Sequence, residues 1–154
     1  AQSRRGQLRH PHQDRALVLN PNDDLIVVQK GELLTWLGEP EEGITWIEKA
    51  MRLNPYHPER FWSHLGRAYF VAHRYPEAAA AFQKINAPNR AHHAFLAAAN
   101  AQIGNEGAAM AHAAQVLAFG PDFSISSHLE MMHYANDDDR DHHRKALIKA
   151  GLPE

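Results

Sequence analysis

Residues 59–82 read ERFWSHLGRAYFVAHRYPEAAAAF, and this stretch decides the fold. The pattern W-x2-L-G-x2-Y…A-x3-F within it is typical of a helix–turn–helix repeat of about 34 residues. Gly66 is expected where the two helices of such a hairpin cross. Glycine is needed there because a Cβ would push the helices apart. Tyr69 and Phe82 are large enough to fill the space between successive hairpins. Ala78 permits close approach on the second helix.

The same frame recurs along the chain. Gly31, Gly66 and Ala97 stand at the eighth position of repeats that begin at residues 24, 59 and 90. Pro21 and Pro55 are 34 residues apart and each follows an asparagine. A proline cannot continue a helix, and it disfavours the helical conformation in the residue before it. Alanine is abundant and favours helix. The sequence therefore predicts an all-α fold, a superhelix of antiparallel helical hairpins.

The frame divides this single domain into five units. They are the second helix of a truncated repeat over 1–23, repeats over 24–58, 59–89 and 90–123, and a divergent capping hairpin over 124–154. Gly38 and Gly104 mark hairpin turns, and the acidic run Asp137–Asp139 is expected to form the turn of the last hairpin. Pro88 arrives early, which predicts that the second helix of the middle repeat is about half a turn short. His143 occupies a position that is small in the other repeats, as suits a terminal unit.

The pattern resembles the tetratricopeptide repeat (TPR). Residues 52–70 (RLNPYHPERFWSHLGRAYF), 92–99 (HHAFLAAA) and 147–153 (LIKAGLP) are similar to the C-terminal repeat region of bacterial class III adenylate/guanylate cyclases. Similar arrays also follow winged-helix DNA-binding domains in some bacterial regulators. The resemblance implies that the chain is the regulatory tail of a larger signalling protein. It also implies a parent that makes cyclic nucleotides, whereas this chain lacks the catalytic domain.

In TPR folds, positions two, five, nine, twelve and thirteen of each repeat line the concave groove. Because aromatic and arginine residues are common anchors of protein interfaces, this face is the predicted site for a protein or peptide, or for the parent's own catalytic domain. The candidate groove residues are Glu32, Trp36, Arg60, Arg67, Phe70, Gln102, His128 and Met132.

Two large apolar side chains in this set need a separate interpretation. Trp36 and Phe70 face water in an isolated array, which favours partner binding. The alternative is that each packs on a neighbouring hairpin, because helical stripes of aromatic residues often belong to a core. The groove hypothesis predicts that replacing Arg67 and Phe70 by alanine weakens partner binding while thermal stability stays nearly unchanged.

Composition excludes several classes of function. The net charge is -2 and cysteine is absent, so nothing indicates nucleic-acid binding, a disulfide framework or thiol chemistry. The basic cluster Arg4, Arg5 and Arg9 is interpreted as a solvated end. No membrane span or signal peptide is visible, which favours the cytoplasm. No phosphate-binding loop, nucleophile elbow or H-E-x-x-H motif is present, so we predict no enzyme and no cofactor for this chain.

Two further hypotheses stay open. The chain has 12 histidines, and His128 or His133 with an aspartate from 137–141 could hold zinc or nickel; scattered surface imidazoles are the simpler interpretation. Self-association as a homodimer is the other hypothesis. It would use the alanine-rich stretches 78–81 and 97–101 or an open apolar edge near Ala16 and Leu17.

Overall fold

The computed structural model describes residues 11–154, and in that part of the chain every regular element is an α-helix. The predicted cluster Arg4, Arg5 and Arg9 lies outside the described residues. The helices are α1 (Pro11–Leu19), α2 (Asp24–Trp36), α3 (Pro40–Leu53), α4 (Arg60–Val71), α5 (Tyr75–Phe82), α6 (Arg90–Ile103), α7 (Glu106–Phe119), α8 (Ile125–Glu130) and α9 (Asp137–Lys149). Pairs α2–α3, α4–α5 and α6–α7 form antiparallel hairpins that stack in order. None of the described helices combines the length and apolar character that a membrane crossing requires.

Local sequence fixes where the hairpins turn. Gly38, His73 and Gly104 occupy the fifteenth position of their repeats, and all three have positive φ, of 84°, 62° and 90°. The predicted turns at Gly38 and Gly104 are confirmed. His73 adopts the left-handed conformation without the freedom that glycine has, at a cost of about 1–3 kcal/mol. Surrounding contacts must therefore hold that histidine in place.

Close helix crossings explain the glycines inside the hairpins. A Cβ at Gly31 on α2 would lie 2.8 Å from the carbonyl oxygen of Gly43 on α3. At Gly66, a Cβ would lie 2.6 Å from the ring of Phe82 on α5. Gly66 is therefore required at the crossing of its hairpin, as the repeat frame predicts.

The alanine-rich stretches lie inside the molecule. Ala78, Ala97 and Ala98 are fully buried within one chain, so they offer no surface to a second copy. Most of both stretches is therefore closed to a second copy, but Ala80 is exposed, and self-association through them stays a prediction. At the other predicted edge, Ala16 and Leu17 are half-buried, and Leu17 packs against the core of the first hairpin.

The middle hairpin is shorter than the frame predicts. Helix α5 has 8 residues, whereas α3 and α7 have 14 each. The shortening therefore exceeds the expected half turn. After Phe82 the chain leaves the helix and reaches Asn89, whose side chain accepts a hydrogen bond from the His92 amide and caps α6.

The last unit departs from a regular hairpin. Helix α8 has only 6 residues and ends at Glu130, and residues 131–136 are not helical. Asp137–Asp139 form the first turn of α9, so the expectation that they form the turn between two helices is wrong. Carboxylates are favourable there because the N-terminus of a helix carries partial positive charge. Helix α9 packs on α6, the first helix of the preceding hairpin.

Candidate functional site

The concave face is lined by α2, α4 and α6, and residues 131–154 of the same chain cover much of it. We call residues 131–154 the C-terminal segment. This segment runs back from the last hairpin to the first: the Ala135 amide donates to the Trp36 carbonyl oxygen at 2.9 Å. The Asn136 side chain donates to the Leu37 carbonyl oxygen at 3.3 Å. These two bonds join the C-terminal segment to the end of α2.

Trp36 lies beneath the C-terminal segment. Its side chain is 7% exposed, so the expectation that it faces water is wrong. The Tyr134 and His133 rings meet the indole edge-on, with centroids 5.0 Å and 5.6 Å away. The Arg67 guanidinium lies 5.0 Å from the centre of the same indole, a cation–π arrangement.

Phe70 is also buried, at 0% exposure, and the same expectation is wrong for it. Its ring packs against His142 and His143 of α9, with centroid distances of 4.9 Å and 5.1 Å. Phe95 of α6 meets it edge-on at 5.6 Å. The repeat frame places Phe70 on the concave face, but α9 covers that face.

Glu32 lies near two basic groups of α4. Its two carboxylate oxygens are 3.8 Å from Arg67 Nη1 and 3.8 Å from His64 Nδ1. Burial lowers the pKa of Arg67, and it lowers the pKa of His64 to about 4 although Glu32 acts in the opposite direction. Arg60, two turns earlier, is exposed and its guanidinium lies over the Phe61 ring at 5.7 Å. The structure therefore brings Glu32 to Arg67 but leaves Arg60 on the surface.

The remaining predicted groove residues divide between core and surface. His128 and Met132 are buried, and the His128 ring lies 5.5 Å from Phe123. Gln102 is half-buried near the end of α6. The interpretation of the histidines as scattered surface imidazoles is wrong for His128 and His143, because both side chains lie in the interior.

Several imidazoles meet where the C-terminal segment docks. His143 is fully buried, stacks on Phe95 at 4.7 Å and is hydrogen-bonded through Nδ1 to Tyr134 Oη at 2.9 Å. The His128 ring lies 5.4 Å from the His143 ring. Sequence reasoning singled out His128 and His143 separately but missed their contact, because both lie in the divergent last unit, to which the repeat frame does not apply.

A second contact joins α9 to the turn between α4 and α5. The His142 ring stacks on His73, with centroids 4.0 Å apart and planes 10° apart. His142 Nε2 and Tyr75 Oη are hydrogen-bonded at 2.7 Å. This stacking is one of the contacts that hold His73 in its left-handed conformation.

Some buried polar atoms lack hydrogen-bond partners. Among the residues that the structure describes, the buried side-chain nitrogens that lack a hydrogen bond are His64 Nδ1, Arg67 Nε, His128 Nε2 and His143 Nε2. Each unsatisfied buried group costs about 1–3 kcal/mol. The apolar contacts of the surrounding core therefore have to offset a polar penalty.

An open pocket remains beside the C-terminal segment. It has a volume of about 530 Å³. Leu33, Trp36 and Leu37 supply apolar surface, and Glu32 and His133 supply polar groups. Gln13, Gln29 and Ala135 complete the lining. Within residues 11–154, no three His, Asp or Glu side chains are grouped so that they could hold a metal ion.

Comparison with known proteins concerns the fold. The crystal structure of MamA superposes with a TM-score of 0.65 at 20% identity, over 90% of this chain and 82% of that chain. The crystal structure of YrrB, described as a TPR protein with an unusual peptide-binding site, gives a TM-score of 0.63 at 15% identity over 90% of both chains. No family model and no curated protein sequence matches this chain. The fold is thus a TPR-type array of helical hairpins, as the sequence predicts.

Proposed function

We propose that this chain is a non-catalytic module that binds a short peptide segment of a partner protein on its concave face. The observation that carries the proposal is the non-helical stretch 131–136. It lies on that face and is held at its far end by the Ala135 amide and the Asn136 side chain. The face therefore already accepts a non-helical peptide of this chain.

The pocket beside this stretch is the place for a peptide in trans. Its volume lies within the range of about 300–1,000 Å³ usual for ligand sites. Leu33 and Leu37 favour an apolar side chain, whereas Gln13 and Gln29 can bond to peptide groups. Glu32 adds a carboxylate, which favours a ligand with a basic or amide group near the apolar residue.

The identity of the parent protein belongs to the same proposal. The sequence resemblance supports the tail of a bacterial adenylate/guanylate cyclase, in which the ligand is a segment of the catalytic domain. A winged-helix regulator and a self-associating TPR scaffold are the alternatives. The coding sequence that precedes Ala1 distinguishes the first two.

Selection from a randomised 12-residue peptide library tests the module. We expect the selected peptides to share an apolar residue and to bind the full chain in fluorescence-polarisation titrations. Leu33→Glu should weaken that binding at least about tenfold, because it replaces apolar lining that would contact the shared apolar residue with a charged group. A retained affinity would place the site elsewhere.

Gln83→Glu is the matched control for that experiment. Gln83 is exposed at the end of α5, and its replacement by glutamate adds the same single negative charge outside the pocket. Its affinity for the selected peptides should equal that of the unsubstituted chain. If no peptide is enriched, or if both variants lose affinity equally, the proposal fails.

A further inference from the structure

The C-terminal segment docks through an unusual number of imidazoles. His133, His142 and His143 belong to the segment, His128 lies on α8, and His73 lies in the turn after α4. Ring contacts link His73 to His142 and His128 to His143. Protons taken up here would therefore place like charges side by side under the segment.

The charged groups around the cluster add to this repulsion. Arg67 of α4 and Arg90 of α6 act on His128, and Arg67 also acts on His143. On the acidic side, Asp139 of α9 acts on His73, and Glu32 of α2 faces Arg67.

Neutral aromatic groups and the remaining charges complete the surroundings. Tyr134 and Tyr75 face the imidazoles as hydroxyl groups. Arg140 and Asp138 lie on α9 itself, and Arg140 donates to the Leu129 carbonyl oxygen at 2.9 Å. The described surroundings of His128 and His143 are thus cationic or neutral, because no carboxylate acts on either ring.

We propose that the C-terminal segment is a releasable cover of the concave face, which undocks when its interface imidazoles are protonated while α2–α7 stay folded. Release would expose Trp36, Phe70 and Arg67. It would also remove the wall that His133 and Ala135 give to the open pocket. This last consequence rests on the proposed function; release itself does not.

The direction of the pH effect follows from the docked pKa values. Burial lowers the pKa of His128 and of His142 to about 4, and it places that of His143 well below its ordinary value. An undocked imidazole has a pKa of about 6.5. Docking is therefore fully stable above about pH 6.5 and is lost as the pH falls toward about 4.

The size of the effect follows from the number of protons. Each histidine that becomes protonated only after release weakens docking about tenfold per pH unit. Three of them give about a thousandfold per pH unit well below pH 6.5. Burial raises the pKa of Asp139, which favours the docked form in acid. This opposing effect concerns one carboxyl group, so the three histidines outweigh it.

Region-resolved hydrogen exchange of the full chain at about pH 7.5 and about pH 5, corrected for intrinsic rates, tests release without any peptide. We expect residues 134–149 to lose protection in acid while α2–α7 keep theirs. In His142→Gln, docking should weaken about a hundredfold per pH unit instead of about a thousandfold, because release then takes up one proton fewer. His12→Gln, at an exposed site on α1, should leave the slope unchanged.

A second pair of variants, Gly38→Ala and Gly104→Ala, tests docking of the C-terminal segment without a change of pH. A Cβ at Gly38, where φ is +84°, would lie 2.0 Å from Asn136 Nδ2. At Gly104, φ is +90° and nothing lies within 4 Å. The exposed Asn136 side chain can turn aside only by losing its bond to the Leu37 carbonyl oxygen, so Gly38→Ala should lower protection of the segment at about pH 7.5 relative to Gly104→Ala.

Two results would overturn the proposal. One is acid loss of protection in α2–α7 together with the segment, since that is global unfolding. The other is full protection of the segment at about pH 5 in the unsubstituted chain. Neither result depends on a ligand, so failure of release and failure of peptide binding are told apart.

Discussion

Replacing Phe70 by alanine is expected to lower the free energy of unfolding by about 3–5 kcal/mol. The side chain is fully buried. Its ring lies 5.6 Å from Phe95 and 5.1 Å from His143, so truncation leaves a cavity between α4, α6 and α9. Urea denaturation followed by circular dichroism should show a lower midpoint at an unchanged slope.

Arg60→Ala is the control on the same helix. Arg60 is exposed, so its removal should change stability by no more than about 0.5 kcal/mol. A Phe70→Ala protein as stable as the unsubstituted chain would mean that α9 does not dock on α4. The expected loss reverses the prediction made from the repeat frame, in which Phe70 faces water and can be truncated without cost.

The second large effect is expected at the crossing of the first hairpin. Gly31→Ala would place a Cβ 2.8 Å from the Gly43 carbonyl oxygen and 3.0 Å from the Ile47 amide nitrogen. Backbone atoms cannot move aside unless α2 and α3 separate. We expect a loss of about 1–3 kcal/mol, which lowers the melting temperature by about 2–4 °C per kcal/mol.

Gly107→Ala is the same chemical change, but we expect it to raise stability instead of lowering it. Gly107 is the second residue of α7, and nothing lies within 4 Å of a Cβ built there. Alanine should raise stability by at most about 0.5 kcal/mol, because it is the better helix former but a first-turn position gains less than the helix interior. If both alanine variants shift the melting temperature in the same direction, the close crossing of α2 and α3 is contradicted.

The sequence predicted features that depend on neighbouring repeats. Gly38 and Gly104 turn the chain at equivalent positions, and Gly66 lies under the Phe82 ring. These contacts recur with the period of the repeat, since each hairpin packs on the next. A frame found in one repeat can therefore be carried to the others.

The site could not be predicted in the same way. Ala135 bonds to Trp36, and His142 stacks on His73, across about three and about two repeat lengths of sequence. No period relates these positions. The frame correctly placed Trp36 and Arg67 on the concave face, but it contained no information that the chain's own end lies over them.

The bond between Ala135 and Trp36 also affects how the array would tolerate a change in the number of its repeats. An open solenoid tolerates insertion or loss of an internal repeat, because each unit contacts only its neighbours. Here Ala135 and Asn136 bond to the end of α2 in the first complete hairpin, so the number of hairpins in between sets whether these bonds can form. These contacts are distant in sequence, which slows folding relative to an open array of the same helices.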